Sequence, residues 1–294
     1  WRGLMAMGGG WIIDLDIQSF FDDVDWGHLR RFLDQRVRDG VIRRAIGKWL
    51  NAGVMESGEV SHPERGTPQG GVVSPVLSNL YLHEVLDVWF EHEVKPRLRG
   101  RAFEIRFADD AALVFEREED ARRVLAVLSK RFAKYGLRLH PEKTRLVDFR
   151  SPPRVGGGGS QRERSFALLG FTHFWGRSRK GRWVVQRKTA KDRFTRGLRA
   201  IGRWCRAYRH WPVAAQQAAL RRKLQGHYAY YGITGNGRAL ARFLFEVRRL
   251  WRKWLNRRSW HGRMTWEKFV RLAARYPLPQ PRVVHSIYRR AATP

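Results

Sequence analysis

The carboxylates of this chain are confined almost entirely to its first half. Residues 1–150 carry 24 Lys/Arg and 23 Asp/Glu, a net of +1, whereas residues 151–294 carry 34 and 4, a net of +30. A segment with that excess can fold only if its apolar residues form narrow stripes that leave the cations outside, because like charges repel in a compact state. The sequence has such stripes. Phe194, Leu198, Ile201, Cys205 and Tyr208 recur at helical spacing, as do Leu240, Phe243, Leu244, Val247, Leu250, Trp251 and Trp254. Trp266, Phe269, Val270 and Ala273 predict a shorter helix, with Thr265 as its N-cap. Arginines fill the remaining faces. A solvated face explains five or six cations, but +30 interleaved with Trp, Tyr and Phe points to a polyanionic partner, nucleic acid above all.

Composition removes several other classes. Hydrophobic residues are 43% and aromatics 13%, too many for a disordered chain. No run of about 18 apolar residues exists, so neither a membrane-spanning helix nor a signal segment is expected. The single cysteine, Cys205, excludes an internal disulfide and a cysteine-based zinc site. The segment 151–165, SPPRVGGGGSQRERS, has no periodicity. It reads as a flexible connection between an acidic domain, 1–150, and a basic helical domain, 166–294.

In the acidic half, Trp11-Ile12-Ile13-Asp14-Leu15-Asp16-Ile17 alternates and predicts a strand with Asp14 and Asp16 on one face. Phe20, Phe21, Asp22, Asp23 and Asp25 follow, then a helix burying Leu29, Phe32, Leu33 and Val37. Further on, Phe103, Ile105 and Phe107 alternate with Glu104 and Arg106, and Leu113-Val114-Phe115 follows Ala108-Asp109-Asp110. This predicts a β-hairpin with two aspartates at its tip. A turn accounts for one aspartate. Two adjacent ones, entered through an apolar strand, repel unless a cation offsets them. Asp16, Asp109 and Asp110 together could hold two Mg²⁺ ions, and such a pair clamps an in-line phosphoryl displacement. The competing reading is a simple turn beside a solvated strand end. Between the clusters, the loop Arg65 to Pro75 is rich in Gly and Pro, and Ser74-Pro75 predicts the start of a helix carrying Leu77, Leu80, Tyr81, Leu86 and Trp89.

The order of these pieces adds specificity. Asp14-Leu15-Asp16-Ile17-Gln18-Ser19-Phe20-Phe21-Asp22, Gly66-Thr67-Pro68-Gln69-Gly70, Phe107-Ala108-Asp109-Asp110, Gly136-Leu137-Arg138-Leu139-His140-Pro141-Glu142-Lys143-Thr144 and Leu168-Leu169-Gly170-Phe171 occur in that order. In this arrangement the chain resembles reverse transcriptases encoded by bacterial group II introns. Lys223-Leu224-Gln225-Gly226-His227-Tyr228-Ala229-Tyr230-Tyr231-Gly232-Ile233 is similar to their maturase region.

The resemblance implies an α+β fold: a right-hand polymerase palm, a small antiparallel sheet with helices, followed by an α-helical basic thumb and maturase domain. It implies Asp16 and Asp109 as principal metal ligands, with Asp110 the third carboxylate and two Mg²⁺ as cofactor. Phe21 would crowd the sugar 2′ position and select dNTPs; alternatively it is core, like Phe20. Gln69 and Gly70 would lie against the incoming nucleotide, and Lys143 would neutralise or protonate the leaving pyrophosphate. Leu169, Gly170 and Phe171 would form the hairpin that holds the primer end. Arg221, Arg222, Lys223, His227 and Tyr228 would contact intron RNA, with Tyr228 and Tyr231 alternatively core. Asp14 would be a supporting charge, and Asp22, Asp23 and Asp25 solvated or capping.

The implied activity is RNA-directed DNA synthesis with a maturase role in intron splicing and mobility. Its partners would be group II intron RNA, a DNA primer or target, and dNTPs, in the cytoplasm of a bacterium and on its nucleoid when acting on DNA. The family places a fingers subdomain before the first catalytic aspartate, which here lies near residue 1, so a fragment is expected. The alternative function is then an RNA-binding splicing maturase without polymerase activity. Ala111 and Ala112 stand where relatives carry bulkier residues, which predicts a less well packed hairpin. No target-DNA cleavage is expected.

Overall fold

The computed structural model describes residues 2–52, 54–56, 59–61, 65–67, 71, 73–150, 164–178, 180–259 and 263–286. The fold is of the α+β class. The chain divides into two compact units, one of residues 1–169 with 174–185, the other of 170–173 with 186–294.

The first unit is built on a four-stranded antiparallel sheet. Its strands are β1 (Trp11–Leu15), β2 (Ala102–Phe107), β3 (Asp110–Phe115) and β4 (Arg145–Asp148), in spatial order β2-β3-β1-β4. Central β1 pairs Asp14 with Ala112 on one side and with Arg145 on the other. Both faces are covered, which is why Ala111 to Phe115 is an unbroken buried run rather than an alternating one. On one face Ile13, Leu15, Leu113 and Phe115 meet Leu29 and Leu33 of helix Trp26–Asp34, Leu77, Tyr81 and Val85, and Val124, Leu128 and Phe132 of helix Glu118–Lys134. On the other face Ile12, Ala112 and Val114 meet Val147, Phe149, Phe166 and Trp175. The Trp175 indole N–H donates to the Phe149 carbonyl at 2.8 Å. Ala111 and Ala112 are fully buried, one in each core.

The helix expected after the Gly/Pro loop begins at Ser74, inside rather than before its first turn, with Pro75 next. It runs on from Leu82 through two π-helical stretches, His83–Asp87 and Phe90–Val94, to a 3₁₀ turn at Lys95–Arg97. Strands Phe166–Leu168, Phe171–Arg177 and Trp183–Thr189 form a second sheet in sequential order.

The second unit is helical: Lys191–Ala207, Val213–Tyr231, Gly237–Leu255 and Trp266–Arg275. Its core holds Ile201, Cys205, Leu220, Leu224, Tyr228, Leu240, Phe243, Val247, Trp251 and Phe269. Thr265 caps the last helix through the Lys268 N–H, as its position predicts. The buried stripe on that helix is narrower than the apolar pattern predicts, since Trp266 and Val270 are exposed. Buried Gln216 is fully engaged. Its amide donates to the carbonyls of Arg209 and Trp211, and its oxygen accepts from the Trp251 indole. No helix among the described residues is long and apolar enough to cross a membrane.

Candidate active site

Strand β1 ends at Leu15, and Asp16 leads into the short strand Ile17–Gln18, which pairs with Arg138–Leu139. This brings the segment 140–144 against Asp16. The His140 N–H donates to the Asp16 carbonyl at 2.8 Å, and the Thr144 hydroxyl donates to the same oxygen at 3.2 Å. The Asp16 N–H donates back to that hydroxyl at 3.3 Å. With its backbone so fixed, Asp16 meets Lys143: Nζ lies 3.4 Å from Oδ1. Two residues that the sequence holds 127 apart thus form one ion pair.

Asp14 and Asp110 lie on one face of the sheet, because Asp14 pairs with Ala112 and strand residues alternate. Burial, with a small addition from the charge of Asp110, pushes the Asp14 carboxyl up to about 6 against the pull of Arg145. Arg145 Nη2 sits 3.4 Å from Asp14 and also donates to the Ser165 carbonyl.

Strands β2 and β3 join through Ala108 and Asp109, with Phe107 opposite Asp110. Ala108 has φ 54, a left-handed conformation that costs a residue with a Cβ. Asp109 is exposed and Asp110 half-buried. Beneath the turn, Arg106 joins Asp87, Asn79 and the Ala108 carbonyl. Burial raises the Asp87 carboxyl, but hydrogen bonds from Arg106 and His83 outweigh it and hold the group below its usual range. Sequence reading missed this network. The available signal was that Glu104 and Arg106 share the strand face opposite Phe103 and Ile105.

Among the described residues no three His, Cys, Asp or Glu side chains converge tightly enough to enclose a metal ion by themselves. The donors are nevertheless all carboxylate oxygens, and the like charges of Asp14 and Asp110 repel each other. That chemistry fits Mg²⁺, which binds through one or two carboxylates and takes its remaining ligands from substrate phosphates and water.

Phe20 is buried core, whereas Phe21 is half-buried at the edge of that core. The Thr67 N–H donates to the Phe21 carbonyl at 2.7 Å, the Gly66 N–H to that of Val24 at 2.7 Å. Gly66, at φ 85, sits so close that a Cβ would meet the Asp22 and Phe21 oxygens at 2.8 and 2.9 Å. The loop is therefore docked under Phe21 just before Gln69 and Gly70, which lie outside the described residues. Asp25 caps helix Trp26–Asp34 as expected. Asp23 corrects the expectation: it is buried, with Arg138 at 3.0 Å and Arg65 at 3.8 Å, because a buried carboxylate needs partners.

Leu169, at φ 53, and Gly170, at φ 71, form the turn between strands Phe166–Leu168 and Phe171–Arg177. Positive φ at both positions matches a two-residue hairpin turn. The Phe171 ring is buried against Tyr231, with the ring centroids 5.3 Å apart. Ser19, Ala108 and Leu169 are the non-glycine residues at positive φ among the described residues, and each falls in a different motif. Backbone strain of this kind concentrates at functional sites.

In the helical unit, Arg221, Arg222 and Lys223 are exposed on helix Val213–Tyr231. Tyr228 is core, and its hydroxyl donates to the Pro279 carbonyl at 3.2 Å, so no surface remains for RNA. His227 stacks on Phe243 with centroids 3.8 Å apart, and burial lowers its pKa to about 4, leaving it neutral.

The sequence matches the family described as reverse transcriptase (RNA-dependent DNA polymerase) across residues 6–173. It is 32% identical over 134 residues to the group II intron-encoded protein LtrA of Lactococcus lactis subsp. cremoris, covering 42% of this chain and 22% of that protein. It is 29% identical over 210 residues to protein YkfC of Escherichia coli (strain K12), 60% of this chain and 50% of that one. A Schizosaccharomyces pombe protein described as an uncharacterized 91 kDa protein in cob intron is 38% identical over 85 residues, 29% of this chain and 10% of that one. The chain thus spans between a tenth and a half of the length of these relatives.

Proposed function

This chain belongs to the reverse transcriptase (RNA-dependent DNA polymerase) family, and from that premise we propose that it supplies the palm and thumb of a group II intron polymerase that copies intron RNA into DNA and assists its splicing. The observation that carries the reading is the Asp16–Lys143 pair, 3.4 Å apart, at the end of the strand beside the aspartate hairpin. Asp16, Asp109 and Asp110 would hold two Mg²⁺, which when bound polarise the primer hydroxyl and the phosphate under attack. Lys143, mostly exposed, is free to swing from Asp16 to the departing pyrophosphate and to neutralise or protonate it. Phe21, held by the docked Gly66–Thr67 backbone, presents its ring where a ribose 2′-hydroxyl would sit. Gln69 and Gly70 would contact the incoming dNTP. The turn Leu169-Gly170 with Phe171 would brace the primer end. Arg221, Arg222 and Lys223 would take RNA phosphates, with His227 at most a packing residue behind them.

A second reading, a splicing maturase without polymerase activity, is favoured by one observation: among the described residues the carboxylates do not converge as a three-ligand cluster. Primer extension on an RNA template with Mg²⁺ and dNTPs separates the two. Asp109→Asn should cut extension at least about a hundredfold, as the loss of a charged metal ligand does, and leave RNA binding intact. Near wild-type extension by that variant would refute the site. RNA binding without any wild-type extension would leave the maturase reading.

A further inference from the structure

Arg106 lies on β2 and faces the helix that starts at Ser74. Its Nε and Nη2 donate to the two oxygens of Asp87, each at 2.6 Å. Its Nη1 donates to Asn79 Oδ1 at 3.0 Å and to the Ala108 carbonyl at 2.9 Å. One planar cation, 13% exposed, therefore ties a packed helix to the peptide that immediately precedes Asp109. Three features make that tie matter. Among the described residues strand β2 is the edge of its sheet, so no further strand there steadies the tip. Phe107 is 68% exposed and Asp109 is exposed, so neither side chain packs the turn in place. Ala108 is held at φ 54, which an alanine leaves unless something restrains it.

We propose that Arg106 is a positioning residue of the polymerase site: by clamping the Ala108 carbonyl to Asp87 and Asn79, it fixes the left-handed turn that presents Asp109 and Asp110 to metal and substrate. It touches no reacting atom and acts through the turn. The inference rests on the functional reading above. The role requires arginine, since a planar fork reaches Asp87 with two parallel hydrogen bonds and still has donors for two more acceptors. Lysine keeps the charge and loses the fork.

The test uses this chain with Mn²⁺ alone as the probe, followed by electron paramagnetic resonance, beside primer extension with Mg²⁺ and thermal melting. Arg106→Lys should weaken Mn²⁺ binding about tenfold and lower kcat by about ten- to a hundredfold, the range for residues that orient metal ligands, with KM for dNTP little changed. Ala108→Gly in the same chain should recover much of both losses, because glycine adopts positive φ without restraint. Asp87→Asn, nearly isosteric, should shift the same readouts in the same direction if Arg106→Lys fails to fold. A purely structural arginine would lower the melting temperature, leave Mn²⁺ affinity and kcat at wild-type values, and show no rescue by Ala108→Gly; that pattern overturns the proposal. A wild-type chain that neither binds Mn²⁺ nor extends a primer would fail the functional reading itself and the inference with it. Wild-type competence with an unaffected Arg106→Lys variant fails the inference alone.

Discussion

Glu104 offers a direct check on the buried charge network beneath the aspartate hairpin. Its side chain is only 9% exposed and lies 3.9 Å from Arg106. Burial is the largest influence on its carboxyl, followed by the charge of Asp87 and a hydrogen bond to it; together they raise the pKa from 4.5 to about 8 despite Arg106. At neutral pH Glu104 is therefore protonated and donates to Asp87. The folded state binds this proton more tightly than the unfolded state, so stability falls as pH rises through the window from 4.5 to 8. The whole shift corresponds to a ceiling of about 5 kcal/mol, of which about 2 kcal/mol is lost between pH 6.5 and 9. That narrower range lies above the Asp14 carboxyl, pushed up to about 6. Glu104→Gln keeps a donor toward Asp87 and cannot ionise. Urea denaturation followed by tryptophan fluorescence, at several pH values from 6.5 to 9, should show the wild type losing stability relative to Glu104→Gln by about 2 kcal/mol. Groups that titrate in both proteins cancel in the difference. Parallel curves would mean that Glu104 is ionised and solvated at neutral pH, and the network as described would be wrong.

Four further outcomes are expected. Phe21→Ala should admit ribonucleotides, read as a fall in the ratio of dNTP to NTP kcat/KM; an unchanged ratio in a folded protein would make Phe21 part of the core edge only. Gly66→Ala should destabilise the first unit by about 2 kcal/mol or more, from positive φ and the 2.8–2.9 Å backbone contacts its Cβ would make, measured by chemical denaturation. RNA affinity should fall with salt on a log–log slope of roughly −4 to −8, fitting about 5–10 phosphate contacts. Reversing the charge of Arg221, Arg222 and Lys223 together should weaken binding and flatten that slope, and a flat response in the wild type would make the basic surface merely solvated.

Some of this was legible in the sequence because burial follows a simple period. The hairpin was marked by alternation up to Phe107 and the apolar run after Asp110. The helices Lys191–Ala207 and Gly237–Leu255 were marked by several apolar residues per turn. Helix Val213–Tyr231 was less visible as a whole, because it buries a thin line, Gln216, Leu220, Leu224 and Tyr228, one residue per turn and the first of them polar. Trp266 and Val270 extended an apolar stripe beyond the face that neighbours cover. The ion pairs were hidden for a different reason. Asp23 finds Arg138 at a separation of 115 residues, and Arg106 finds Asp87 across 19. Periodicity tells which face a charge occupies and nothing of which partner awaits it. The same holds for Asp16 and Lys143, whose proximity only the resemblance to a family made expectable.

The three left-handed residues Ser19, Ala108 and Leu169 bear on how such a protein can change over generations. Each costs on the order of 1–2 kcal/mol, and glycine would relieve it. Against a typical net stability of about 5–15 kcal/mol, these are the cheapest routes to a hardier chain. The Arg106 clamp on the Ala108 carbonyl would hold a glycine in the same turn, so relief at that point leaves the proposed site intact. Selection for heat resistance should therefore reach glycine at position 108 first. Its further increments lie in the two cores that flank the sheet.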